Sequence, residues 1–392
     1  MVITPHLLWV LLLLLLCSTT LSAQVRVKVE INGIEKKMED NVRLLLSIEQ
    51  QKDHALLSEG RLRRLHKKAA LEIAKALQPF GYYRSVVVGS LTLAATDQWL
   101  ASYKIDAGTP LPLAEFNFTL SEEMQLDSAF QTLIQHPPLV VGKAFNHQSY
   151  EAFKSSLAKL ASERGYFNAR FSAHRVEIDL KAYQARVYLS YQGGPRFRYG
   201  EVLMLQDVLS PDLLQRYIPF KVGEPYLVND LIDLQQALND SDYFRTVEVS
   251  PGQLLQDTHE VPINVVLTPR KRNRYSFGLG YGTDTGARTK FGWEIPRFNE
   301  EGHRFNTEAR VSEIGYSLSA QYRVPILNPR SDQMVYSAAQ VNEITDSSDS
   351  TVSTIATSLK RSHGKWRESI SLSYQQEDFV IADDEGSSYL LI

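Results

Sequence analysis

The sequence predicts an α+β protein: three repeated β-α-α-β-β modules, followed by an antiparallel transmembrane β-barrel that is apparently truncated. Three observations carry that reading. A short aromatic turn recurs three times before residue 270. An apolar leader of secretory type precedes the first copy. From Arg274 onward the chain changes to strand-length alternation, with one face rich in glycine.

The chain has 392 residues and a net charge of -3, which suggests more than one domain and gives no bulk attraction to nucleic acid. Residues 1–23 contain an apolar run from Leu7 to Leu16, too short to span a bilayer, then Ser18-Thr19-Thr20-Leu21-Ser22-Ala23. This reads as a signal peptide cleaved after Ala23, although its first residues carry no Lys or Arg. Leu16 stands where a small residue precedes a lipidated cysteine, which argues against a lipoprotein reading of Cys17. Cleavage removes the single cysteine, and with it any disulfide or thiol chemistry. No later apolar run approaches the roughly 20 residues of a membrane helix, so a membrane-embedded mature chain must be a β-barrel. Secretion plus a barrel implies a bacterial outer membrane, with the modules in the periplasm.

The repeat is read from Phe80-Gly81-Tyr82-Tyr83-Arg84, Arg164-Gly165-Tyr166-Phe167-Asn168 and Ser241-Asp242-Tyr243-Phe244-Arg245, spaced by 84 and 77 residues. Each copy follows a helical pattern: Leu62, Leu65, Ala69, Ile73 and Leu77; then Phe153, Leu157 and Leu160; then Leu231, Leu234 and Leu238. Each is followed by two strand candidates, 85–93 and 99–105, 169–178 and 185–191, 246–254 and 261–267, and preceded by one, 25–31, 113–119 and 199–205. Val141-Gly142-Lys143 and Val222-Gly223-Glu224 add a second point of agreement between the last two units. Gly81, Gly165 and Asp242 stand where a helix reverses into a strand, a left-handed position that glycine or an acidic or amide residue tolerates best. Tyr82, Tyr166 and Tyr243 then read as hydrophobic core. The expected divisions are a signal peptide at 1–23, modules at 24–106, 107–192 and 193–269, and barrel from 270 to 392.

In Arg274-Tyr275-Ser276-Phe277-Gly278-Leu279-Gly280-Tyr281-Gly282, side chains alternate along an extended strand. Tyr275, Phe277, Leu279 and Tyr281 share one face; Ser276, Gly278, Gly280 and Gly282 share the other. Glycine in a strand interior brings nothing to pack, so a soluble sandwich strand gains nothing from this pattern. Further strand-length segments are read at 287–296, 304–313, 315–326, 333–345, 351–360 and 365–380, with an eighth beginning at 387; those at 333–345 and 351–360 alternate poorly. Most approach the ~9–11 residues of a tilted membrane strand. Their apolar faces include Phe291, Trp293 and Ile295; their opposite faces include Lys290 and Glu294. The stretch from Thr345 to Ser350 reads as an exposed loop. Arg270-Lys271-Arg272-Asn273-Arg274 reads as interfacial anchoring or as a patch for substrate or lipid headgroups.

The three modules in front of Gly278 to Gly286, and the segment Pro296-Arg297-Phe298-Asn299-Glu300-Glu301-Gly302-His303, resemble the outer-membrane assembly proteins of the BamA and TamA type. Their periplasmic modules are polypeptide-transport-associated (POTRA) domains. Three modules match TamA best, and the strand at Val25 leaves no room for the plug helix usual in two-partner secretion transporters. The resemblance implies a barrel of roughly sixteen strands, of which the chain holds about half. An open half-barrel leaves unpaired edges in lipid, so a longer protein is expected. It also implies insertion or secretion of autotransporter and other unfolded outer-membrane proteins by strand addition. The seam strand Arg274–Gly282 would act as the lateral gate, and a TamB-like inner-membrane partner is implied. A polypeptide-secretion pore and a barrel-anchored lipase are the alternatives. The chain contains no His-Glu-x-x-His, Gly-x-Ser-x-Gly or phosphate-loop motif, and its nine His residues are dispersed. No catalytic residue, metal ligand or cofactor is therefore assigned.

Overall fold

The structure, a computed structural model, describes residues 25–95, 97–283, 285–345, 347–381 and 384–392. The expected signal peptide lies outside the described residues. Two compact units emerge. One holds the described residues up to Leu160 together with Ala169–Gly193; the other holds Ala161–Asn168 and Gly194–Ile392.

The first unit opens with β1 (Arg26–Asn32), α1 (Lys36–Leu45), α2 (Ser47–Gln50), α3 (Glu59–Leu77), β2 (Val86–Ala95) and β3 (Gln98–Asp106). The sheet runs β1-β3-β2, with β1 parallel and β2 antiparallel to the central strand. β1 buries Val27, Val29 and Ile31 on one face, as a period of two requires. α3 buries Leu62, Leu65, Ala69, Ile73 and Leu77, the stripe that the helical spacing marks. Ser58 caps it by accepting from the Arg61 amide.

The same plan repeats in β4 (Leu113–Leu120), α4 (Glu122–Leu126), α5 (Ser128–Gln135), α6 (His147–Glu163), β5 (Arg170–Asp179) and β6 (Gln184–Gln192), with sheet order β4-β6-β5. It repeats again in the second unit as β7 (Arg198–Leu205), α7 (Pro211–Gln215), α8 (Val228–Asp240), β8 (Phe244–Pro251) and β9 (Glu260–Pro269), order β7-β9-β8. The short extra helices α2 and α4 carry too few residues for a periodic signal.

The recurrent turn is a joint as well as a reversal. Gly81, Gly165 and Asp242 have φ of +90°, +83° and +61°. The Leu111 amide donates to the Gly81 carbonyl at 2.8 Å, and the Phe145 amide to the Leu111 carbonyl at 2.7 Å. A Cβ at Gly81 would sit 2.1 Å from the Phe145 carbonyl oxygen, so only glycine allows this approach. Inside the second unit, the Phe197 amide donates to the Gly165 carbonyl at 2.9 Å and the Tyr226 amide to the Phe197 carbonyl at 3.1 Å. Tyr166 and Tyr243 are buried, whereas Tyr82 is half-buried against the first module's core.

The first joint carries a pH-sensitive pair. Tyr83 Oη and His147 Nε2 lie 2.6 Å apart. Burial holds the His147 pKa below its ordinary value against a smaller opposing pull from Glu151, and burial alone lowers that of His66, whose Nδ1 is 3.1 Å from Tyr103 Oη. Both rings are therefore harder to protonate in the folded chain than in the unfolded one. The unfolded chain binds protons first, so stability is full above about pH 6.5 and falls as the pH drops toward the lowered folded values. In thermal melts of the full chain, the transition of the first unit should shift downward as the pH falls below about 6.5. His147→Gln should flatten that slope; an unchanged slope in both His147→Gln and His66→Gln would refute the assignment.

The second unit continues into β10 (Arg274–Gly282), β11 (Gly286–Ile295), β12 (Arg304–Ser312), β13 (Gly315–Pro325), β14 (Gln333–Ile344), β15 (Ser348–His363), β16 (Trp366–Ile381) and β17 (Asp384–Leu391). All neighbours are antiparallel and in sequence order, a meander. Two expectations are corrected. The loop read from Thr345 to Ser350 is shorter: Ser348 to Ser350 belong to β15, where Ser350 pairs Glu343 and Asp349 pairs Ile344. β15 and β16 pair over 16 residues each, beyond the alternation of 351–360, because main-chain pairing continues whatever the side chains are.

Candidate functional site

Cross-strand register joins the alternating faces into two continuous surfaces. Partners directly opposite share a face, so the rows Tyr275–Trp293, Phe277–Phe291 and Ile295–Phe305–Tyr322–Tyr336 all belong to the apolar one. Tyr275, Trp293, Phe305 and Tyr322 line the module-side ends of their strands, an aromatic row of the kind that marks a membrane interface. On the first strand this face is nearly bare of cover: Phe277 is 71% and Leu279 78% exposed. Side chains this apolar and this exposed suit lipid as their solvent.

The opposite face is polar and charged. Lys290 pairs with Glu308, which also accepts from Arg310, and Arg274 Nη1 meets Glu294 Oε2 at 3.0 Å. Gly278 and Gly280 form a floor under Lys290 and Arg288, their partners in register. A Cβ at Gly278 would lie 3.8 Å from Lys290 Cβ, and one at Gly280 would lie 3.0 Å from Arg288 Nε, the mobile end of a long side chain. A cavity of about 510 Å³ opens here, lined by Gly278, Gly280, Arg288, Lys290, Arg310 and Glu343 among others.

β10 is at one edge of the eight-stranded sheet, and among the described residues only β11 pairs with it. Its start is clamped to the third module. Asp242 receives Arg270 Nε at 3.1 Å and Arg274 Nη2 at 3.4 Å, while the Arg270 amide donates to the Tyr243 carbonyl at 2.9 Å. The Tyr243 hydroxyl donates to the Gly302 carbonyl in the β11–β12 turn, and the Arg304 guanidinium lies 4.6 Å from the centre of the Tyr243 ring. β10 and the third turn, Asp242 and Tyr243, thus meet in one assembly, whereas the Gly165 carbonyl accepts from the Phe197 amide instead. The sequence signal for this meeting was present in the basic run 270–274, which needed an acidic partner, but only the fold brings Asp242 to it.

Residues 28–107 match the family described as POTRA domain TamA domain 1. Among solved structures, BamA from Haemophilus ducreyi lacking POTRA domains 1–3 superposes with a TM-score of 0.58 at 14% identity, over 70% of this chain and 52% of that one. The chain therefore spans about half the length of that structure. CdiB from Escherichia coli aligns over 86% of this chain and 64% of its own, at 14% identity and a TM-score of 0.43. CdiB from Acinetobacter baumannii gives 16% identity over 72% and 58%, also with a TM-score of 0.43.

Proposed function

We propose that the chain is a member of the BamA/TamA family of outer-membrane proteins with periplasmic POTRA modules, and that it inserts or secretes autotransporter and other β-barrel proteins by strand addition at its first barrel strand. The observation that supports this most is β10 itself: an edge strand with an aromatic lipid face, a glycine floor and a start clamped to Asp242. An incoming unfolded segment pairs with such an edge through main-chain hydrogen bonds, which do not depend on its sequence. The glycine floor leaves the strand poor in packing and easy to deform, so opening at the seam costs less there than between better-packed strands. Such work needs neither catalytic residue nor cofactor.

Photo-crosslinkers placed along Tyr275–Tyr281, and separately at the inner-face residues Ser317 and Ser319, test this reading in the full-length protein in cells. Substrate crosslinks confined to β10 are expected. Crosslinks at Ser317 and Ser319, with conductance and export of a soluble substrate, would favour a secretion pore instead. The first module is the proposed docking site of a TamB-like inner-membrane partner, a reading supported by its family match. Deleting residues 24–106 should abolish copurification of that partner while the barrel still inserts; retained copurification would refute it.

A further inference from the structure

The outer face of α3 in the first module carries a row of cations whose charge the helix itself does not balance. Opposite the buried stripe from Leu62 to Leu77, α3 exposes Arg64, Lys67, Lys68, Leu71 and Lys75. Residues three and four apart are neighbours on a helix, so Lys67, Lys68 and Lys75 surround Leu71, and Arg64 continues the row one turn further. Both carboxylates of the helix are engaged elsewhere. Glu59 pairs with Arg63 at 2.7 Å, and Glu72 accepts from the Ser47 amide at 2.8 Å and from the Ser47 hydroxyl at 2.7 Å. Among the described residues, none of the four cations makes an ion pair. Two costs set this face apart from an ordinary solvated one. Arg64 and Lys68 stand four residues apart, where like charges destabilise a helix, and Leu71 is 62% exposed at the centre of the row. The basic surplus is also confined to this module: residues 24–106 hold 14 Lys and Arg against 10 Asp and Glu, residues 107–192 hold 8 against 8, and residues 193–269 hold 5 against 11.

The kind of partner follows from what the face offers. A helix that lies on a bilayer buries a continuous apolar face in it, whereas α3 turns that face into the module's core and presents one leucine amid four cations. The row from Arg64 to Lys75 is about 16 Å long, the span of about five extended residues. We propose that this face of α3 docks a short acidic segment of a protein partner, its Asp or Glu side chains meeting Arg64, Lys67, Lys68 and Lys75 and one apolar side chain covering Leu71. Such docking rests on the reading that the first module receives an inner-membrane partner, and adds to it the helix and the chemistry of the contact. Salt should weaken it, because exposed charges are screened beyond about 10 Å at 0.1 M ionic strength.

The test is copurification of that partner with the full-length protein in nonionic detergent. Lys67→Glu combined with Lys75→Glu, one turn to either side of Leu71, should reduce recovery of the partner about tenfold, since like charges then face each other across the contact. Leu71→Ser should reduce it severalfold. Lys104→Glu, at an exposed lysine on the sheet face opposite the buried Tyr103 and Ile105, should leave it unchanged. A photo-crosslinker in place of Leu71 should attach to a partner segment that contains Asp or Glu. Recovery kept in the double variant, where deletion of residues 24–106 abolishes it, overturns docking at α3 and leaves the module's role standing. Recovery kept after that deletion overturns both. Crosslinks to phospholipid, or to a segment without acidic residues, overturn the acidic protein partner. All the altered side chains are exposed, so the variants fold, and the melt of the first unit verifies this.

Discussion

Replacing Gly278 and Gly280 together by valine is expected to leave the barrel inserted and to slow substrate assembly about tenfold. Both glycines have ordinary extended backbone, so valine meets no conformational penalty. Their nearest neighbours are the Lys290 stem and the flexible Arg288 side chain, which can give way. Valine adds β-propensity and packing of up to about 1 kcal/mol per site on the inner face. If the seam must deform for a substrate strand to enter, that stiffening raises the barrier, and about 1.4 kcal/mol corresponds to tenfold in rate. Heat-modifiability on a gel reports folding, and autotransporter assembly in cells reports function. Normal folding with undiminished assembly would exclude a deformable seam as the mechanism. Lost folding would mean that the glycines serve close packing instead.

Tyr243→Ala should be the most damaging single change in the second unit. The side chain is buried, bonded to the Gly302 carbonyl and covered by Arg304, so truncation removes a large aromatic from the core and leaves a cavity at the barrel junction. Such changes cost about 3–5 kcal/mol, whereas Tyr243→Phe deletes one hydrogen bond, about 1–2 kcal/mol. In a module of this size each kcal/mol shifts Tm by roughly 4–8 °C, so the two variants separate clearly in a melt. Arg304→Ala distinguishes packing from coupling, because it removes the cation over the ring without opening the module's core. It also removes the bond to the Ser241 carbonyl, so it should lower the module's melting temperature far less than Tyr243→Ala does while loosening the junction, seen as faster protease cleavage at residues 270–274. A junction equally resistant in both alanine variants would show that Tyr243 is only core.

The three modules were legible in the sequence because their signals are local. A helix stripe such as Leu62 to Leu77, a strand such as Val27 to Ile31, and a left-handed turn at Gly81, Gly165 or Asp242 each follow from side-chain period and backbone sterics within a few residues. The same held for the barrel strands, whose faces follow from a period of two. The alternation failed at β15, where polar and apolar residues are mixed and only pairing with β14 and β16 sets the ends.

The chain by itself therefore determined the repeated modules, the change to membrane-type strands at Arg274 and the two faces of β10. The tertiary structure alone decided which residues meet across long separations. Asp242 between Arg270 and Arg274, Tyr243 on Gly302, and His147 on Tyr83 join residues that no local period relates. Such contacts depend on strand register and on how each module's turn packs against the element that follows it, and these are set by the burial of whole faces rather than by any one stretch of sequence.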